Sequence, residues 1–288
     1  MELRVLKYFL VAAREENITK AAALLHVTHP TLSRHLRQVE EEVGVNLFRR
    51  GKYRVSLTED GMLLRRRAQE IVELAEKTEQ EFQRQEGELA GAISIGTGES
   101  NSMTALSRRM AGFRREHPLV RFHIYSATAD EIQERLEKGL LDLGILTEPA
   151  DIGRYEFIRL PKRDQWGVWV DREHPLAARE RVTPQDLLGV PLLLPQRERV
   201  QQELAGWFGD DFEKAEVAAT YNLILNAANM IRNGVGIALG FLLGNLSDDL
   251  RFIPLSPALE TGSVLVWKKD QAFSPTAAAF LRDLRRAE

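Results

Sequence analysis

His29-Pro30-Thr31-Leu32-Ser33-Arg34-His35-Leu36-Arg37-Gln38 carries two patterns at once. Leu32, Leu36, Val39 and Val43 recur at i, i+4, i+7 and i+11, one face of an α-helix. The other face carries Thr31, Ser33, Arg34, Arg37 and Gln38, all hydrogen-bond formers and two of them cations. Thr28 suits the N-cap, and Pro30 suits the first turn, where its missing N–H goes unused. Gly44 is a stop signal. A short helix with an apolar back and a Ser/Arg/Gln front has the size and chemistry of a major-groove reader.

The flanks agree with that reading. Ile18–Leu25 is an Ala-rich helix opened by Asn17 or Thr19, and the turn at His26–His29 joins it to the next helix as a helix-turn-helix. Leu3, Leu6, Phe9, Leu10 and Ala13 form an amphipathic first helix that covers both. Val45 to Thr58 reads as two short strands around a basic turn at Gly51-Lys52, a wing. The candidate DNA contacts are His29, Pro30, Thr31, Ser33, Arg34 and Arg37 on the helix, with Arg49, Arg50, Lys52 and Arg54 of the wing meeting phosphate. His26, His29 and His35 lack the spacing and carboxylate of a metal site, so no metal is expected.

Phe9–Ala13, Asn17–Ala22, Pro30–Arg34, Leu47–Arg50 and Leu57–Gly61 together resemble, in order and spacing, the N-terminal signature of the LysR-type transcriptional regulators. His29 stands where that family commonly has Gln, and Asp60 where it commonly has Ala; an acid is welcome at a helix start.

The 288 residues suggest two domains, and 44% hydrophobic with 28% charged residues describes an ordinary globular chain. Without cysteine there is neither a disulfide nor a thiol nucleophile, which fits a reducing compartment. No apolar stretch is long enough to span a bilayer, and Glu2 and Arg4 do not open a signal sequence, so a cytoplasmic protein is expected. The net charge of −3 is unevenly spread. Residues 1–58 hold 10 Lys/Arg against 6 Asp/Glu, a surplus of four positive charges where the helix-turn-helix lies.

From Thr58 to Arg84 there is no proline, and Leu64, Ala68, Ile71, Ala75, Thr78 and Phe82 repeat at coiled-coil spacing. In the family resembled, the matching helix pairs two subunits, which makes Leu64, Ala68, Ile71, Ala75 and Phe82 the candidate dimerisation stripe. A helix packed on its own domain would show the same stripe. Beyond a hinge at Glu86–Gly91, strands and helices alternate as βαβαβ, followed by a second such set, an α/β pattern of parallel strands. Two such lobes resemble the family's effector domain, which has the periplasmic-binding-protein fold. The expected domains are a winged helix-turn-helix over 1–58, a linker helix over 59–87 and an effector domain over 88–288. Lobe I is expected at 91–161 and 268–288, and lobe II at 162–267, with crossings near Pro161 and Lys268.

Ligands of parallel sheets bind beyond the carboxyl ends of the strands. That rule selects Ser100, Asn101 and Ser102 after the first strand, Thr128 after the second and Thr147 after the third. From the other lobe it selects Pro195, Gln196 and Arg197, with Asn222 before a helix. In the family, Ser100 falls where the effector often touches. Such a cleft suits a small polar molecule with a carboxylate. The resemblance implies a promoter-binding homo-oligomer, a dimer and then a tetramer, that senses a small effector, with RNA polymerase a further candidate partner. No cofactor is expected. The rival class, an enzyme or solute-binding protein with an accessory DNA-binding head, finds no support in the motifs: Gly96-x-Gly98 lacks a third glycine, no Walker lysine follows a glycine-rich loop, and no G-x-S-x-G occurs.

Overall fold

The computed structural model describes residues 1–51, 54–82, 88–244 and 246–286, with the side chains of Arg50 and of 80–82 outside the description. The chain divides into two compact units, Met1–Arg84 and Gln85–Glu288.

The first unit runs α1 (Leu3–Glu15), α2 (Ile18–Leu24), α3 (His29–Val43), β1 (Phe48–Arg50), β2 (Val55–Leu57) and α4 (Glu59–Phe82). Asn17 is the N-cap of α2, its side chain accepting from the Lys20 N–H at 2.9 Å. Gly44 ends α3 in the left-handed conformation, φ 77°. Phe9, Ala12, Ala21, Leu32, Leu36, Val39 and Ala68 make one core from all four helices. Val43, placed by periodicity on the apolar face of α3, is 39% exposed because α3 outruns that core by its last turn.

Strands β1 and β2 pair antiparallel as the wing, with Arg49 opposite Ser56. The Gly51 N–H donates to the Arg54 carbonyl across its turn at 2.8 Å. The wing is fixed at both ends. The Val55 N–H donates to the Glu16 carbonyl, and the Thr58 N–H donates to the Leu47 carbonyl. The approach behind Thr58 is so close that a Cβ on Gly61 would stand 2.1 Å from the Leu47 oxygen.

The second unit contains β3 (Gly91–Thr97), α5 (Ser102–Glu116), β4 (Val120–Ser126), α6 (Ala129–Glu137), β5 (Leu143–Thr147) and β6 (Tyr155–Arg159). There follow β7 (Asp164–Asp171), β8 (Leu192–Pro195), α7 (Glu198–Phe208), β9 (Val217–Tyr221), α8 (Ile224–Arg232) and β10 (Ile237–Phe241). Last come β11 (Leu250–Pro254), β12 (Glu260–Thr261), β13 (Ser263–Lys268) and α9 (Pro275–Arg285). Two sheets result, in the orders β4-β3-β5-β13-β6 and β11-β7-β10-β8-β9, with β12 on β7.

Both sheets are mixed rather than wholly parallel. β13 runs antiparallel to β5 and β6, and β7 antiparallel to β10 and β11. The lobe boundary expected at Lys268 is corrected to Gly262. Thr261 still pairs with Asp164 in the second lobe, whereas Ser263 already pairs with Thr147 in the first. Ser263–Trp267 is buried throughout, as a central strand covered on both faces requires, and that burial places it inside the first lobe's sheet. Among the described strands and α-helices, β6, α7, β11 and β12 were not expected from the sequence.

Candidate nucleic-acid interface and ligand cleft

The start of α3 is built by Thr28, whose Oγ1 accepts from the Thr31 N–H at 3.3 Å and lies 2.8 Å from the Thr31 hydroxyl. Thr31 is therefore turned toward the cap. His29, Pro30, Arg34 and Arg37 are exposed and Ser33 is half-buried. No hydrogen bond or ion pair to another described residue engages the Arg34 or Arg37 guanidinium, nor those of Arg49 and Arg54 on the wing. The expectations for Lys52 and for the Arg50 side chain fall outside the described residues. His35 packs edge-on to Tyr8 at 5.6 Å, which makes it part of the hydrophobic back of the helix.

One organising residue was not foreseen. The Glu40 carboxylate, on α3, accepts from the Leu47 N–H at 2.9 Å and the Phe48 N–H at 3.1 Å. It ties the root of the wing to the helix that carries Arg34. Its only sequence signal is a buried-side Glu four residues before a helix-ending glycine.

The dimerisation stripe divides. Ala68 is fully buried, and Val72 beside it nearly so, both in the core with α1. Leu64 packs against the same core, and Lys7 of α1 meets Glu76 of α4 at 2.8 Å. Leu64 and Ala68 are thus spent on their own domain, because the inner face of α4 already has a partner in α1. Ala75 is half-buried, and the Phe82 side chain lies outside the described residues. Ile71 remains 44% exposed, and with it Leu63 and Leu74 at 52% and 42%. These three lie on the outer face, at i, i+8 and i+11, and define the apolar strip that α4 leaves uncovered.

Between the two lobes of the second unit lies a cleft of about 140 Å³. Of the predicted residues, Thr128, Thr147, Pro195, Gln196, Arg197 and Asn222 line it. Ser100, Asn101 and Ser102 do not. Ser100 and Ser102 are buried at the start of α5. Asn101 donates from its backbone and side-chain nitrogens to one Asp164 oxygen, at 3.0 and 2.8 Å, and from its amide to the Leu242 carbonyl at 2.6 Å. It is a strut between the lobes, because the chain turns away from the cleft after Glu99. Thr128 also caps α6, with Glu131 closing the capping box.

Charged side chains of the cleft reach across the lobes. The Arg197 guanidinium, 8% exposed, meets both Asp130 oxygens at 3.1 Å and the Thr147 carbonyl at 3.3 Å. Glu99, from the opposite lobe, accepts the Ile224 N–H at the start of α8 at 2.6 Å. The floor is aromatic. The Trp166 and Phe241 rings meet at 4.4 Å, tilted at 59°, with the Trp166 indole N–H on Thr261 Oγ1 at 2.7 Å. Tyr221 donates to the Leu239 carbonyl at 2.6 Å, and burial, then the charge of Glu99, push its hydroxyl's pKa up. Glu99 and Asp130 were missed as site residues, although both follow strand ends that the crevice rule selects.

Two family models match the chain: the bacterial regulatory helix-turn-helix protein, lysR family, over residues 3–62, and the LysR substrate binding domain over 86–288. The chain is 29% identical to the uncharacterized HTH-type transcriptional regulator YybE of Bacillus subtilis (strain 168), over 97% of each chain. It is 27% identical to the Hca operon transcriptional activator HcaR of Escherichia coli (strain K12), over 94% of this chain and 93% of that one. Among solved structures it superposes on CbnR, a LysR family transcriptional regulator, with TM-score 0.79 at 21% identity, covering 100% and 99% of the two chains. Full-length CbnR complexed with its target DNA gives 0.77 at 22% identity, covering 100% of each chain. With a wing-braced recognition helix in one unit and a two-lobed α/β cleft in the other, the chain belongs to the LysR family of helix-turn-helix transcriptional regulators.

Proposed function

We propose that this chain binds operator DNA as a homo-oligomer and carries a small-molecule effector between the lobes of its second unit, without chemistry on that molecule. The observation that carries the reading is the front of α3: Arg34 and Arg37 are exposed, make no ion pair among the described residues and are held on a helix whose back is packed through Leu32, Leu36 and Val39. Such cations have no structural task in the unit itself and are placed to meet base edges and phosphate. The outer strip of α4, Leu63, Ile71 and Leu74, pairs two copies, and two such pairs assemble as a tetramer. Paired recognition helices then reach successive major grooves, about 34 Å apart. The protein works in the cytoplasm, needs no cofactor and has RNA polymerase as the partner that regulation of transcription requires.

Effector binding acts through the lobes. A ligand that prefers one spacing of the lobes shifts the population toward it by its differential affinity, and so alters how the oligomer holds DNA. The test is a gel shift on duplex from the region upstream of the protein's own gene, across a series of salt concentrations, with light scattering to give the assembly. A salt-dependent complex is expected, with Arg54→Ala lowering the salt slope by about one unit. A monomer at micromolar concentration with no salt-sensitive DNA association would sink the reading.

A further inference from the structure

The same cleft says what kind of molecule it receives, on the reading that it is the effector site. Two features could hold an anion there, the Arg197 guanidinium and the N-terminus of α8, and the protein's own carboxylates occupy both. Asp130 takes two edges of Arg197, and the Thr147 carbonyl takes a third position. Glu99 reaches across from the other lobe to the first N–H of α8. A ligand carboxylate would have to displace one of these contacts and then stand beside Glu99.

The balance of charge points the opposite way. Arg197 against Asp130 and Glu99 leaves one negative charge in excess. One Glu99 oxygen serves Ile224, and the other has no hydrogen-bond partner among the described residues. The apolar part of the wall is Trp166 and Phe241, their rings tilted against each other at 59°, together with Ile145, and Thr128, Thr147, Gln196 and Asn222 supply neutral polar groups. A half-buried carboxylate with one oxygen not engaged by another described residue, at the edge of an aromatic pair, is placed to receive a positively charged N–H donor.

We infer that the inter-lobe cleft binds a flat aromatic molecule with a cationic nitrogen head, recognised by Glu99, and disfavours carboxylates. The volume of about 140 Å³ suits a single ring with a small planar substituent. The sequence alone had suggested a carboxylate ligand, because the exposed N–H groups and hydroxyls of a helix start after the first strand make an anion site, and Ser100, Asn101 and Ser102 of that segment do not line the cleft.

Three probes of the same shape separate the charges: benzamidine, benzamide and benzoate, each titrated calorimetrically into the full-length protein. Benzamidine is expected to bind at least about tenfold more tightly than benzoate, with benzamide between them. Glu99→Gln should remove the advantage of benzamidine over benzamide, and Thr147→Trp, which fills the cleft, should abolish binding of both. Glu99→Asp, which keeps the charge, guards against a glutamine variant that fails to fold: it should still prefer benzamidine. The inference falls if benzoate binds as well as benzamidine or better. It falls equally if benzamidine does not bind at millimolar concentration, or if its advantage survives Glu99→Gln. DNA association is measured on the same samples: its persistence under those results confines the failure to the ligand class, whereas its loss in the wild-type protein would sink the regulator reading itself.

Discussion

The two units treat their charges in opposite ways. On α3 and the wing, Arg34, Arg37, Arg49 and Arg54 stand exposed with no ion pair among the described residues, above a core that is closed without them. In the cleft of the second unit, Arg197 is 8% exposed and fully engaged, and Glu99 bridges the lobes. An unpaired surface cation costs the fold almost nothing and is available to a partner. A buried cation is expensive unless paired, so the cleft's charges double as the contacts that join the lobes. One unit keeps its charge for an external polyanion. The other spends its charge on its own geometry.

The sharpest break of that comparison lies beneath the exposed cations. Leu36, 2% exposed, packs the back of α3 against α1. Leu36→Ala should cost about 3 kcal/mol of the first unit's stability through lost burial and the cavity left behind. Urea unfolding followed by circular dichroism measures it. A loss well under 1 kcal/mol would mean that α3 is not held from behind and that its front is not pre-positioned.

Arg34→Ala separates binding from folding. The expected loss is about 2 kcal/mol of affinity, concentrated at one base pair of the operator, with unfolding unchanged. Binding measured against a set of operators with single base-pair changes shows the pattern. Uniform weakening across the set would make Arg34 a phosphate contact, and a fall in stability would give it a structural task that no contact among the described residues assigns it.

Asp130→Asn makes the converse test in the cleft. It leaves the Arg197 guanidinium without its carboxylate partner, the Thr147 carbonyl still accepting a hydrogen bond from it. Asp130 itself is 61% exposed, so water replaces part of what is lost. About 1 kcal/mol of the second unit's stability should go, read from denaturant unfolding by tryptophan fluorescence. A neutral result would show that the lobes do not depend on the pair.

What the sequence disclosed follows the range of each interaction. Leu32, Leu36 and Val39 announce their face because helical period is local, and Asn17, Thr28 and Gly44 announce boundaries because caps act within three or four residues. The strand Ser263–Trp267 was equally plain, but its lobe was not, since that depends on pairing with Thr147 more than a hundred residues earlier. Ala68 showed a stripe without showing that α1 had already claimed it. Arg197 was found at its strand end, whereas Asp130, 67 residues away, could be identified as its partner only in three dimensions. Ser100 and Asn101 misled for a related reason. The crevice rule selects the loop after β3 but cannot say which of its residues line the cleft, and those are Gly98 and Glu99.

The smallest effect concerns a charge that obeys neither pattern. Glu203, on α7, is half-buried, with its carboxylate 3.5 Å from Thr261 Oγ1 where the chain passes between lobes. Burial raises its pKa above the ordinary carboxylate range, Glu148 adding to the shift, while Thr261 and Arg163 oppose it. A carboxyl with a raised folded-state pKa holds its proton more tightly in the folded protein than in the unfolded one. Its contribution to stability is therefore fully present below the unfolded-state value and lost as pH rises through the folded one, so at neutral pH its charge is a net penalty. Glu203→Gln should raise the midpoint of thermal unfolding of the second unit by about a degree or two at pH 7, and the gain should vanish near pH 4. Scanning calorimetry at both pH values decides the matter. A loss of stability at pH 7 would mean that the charged form of Glu203 is compensated by Arg163 after all.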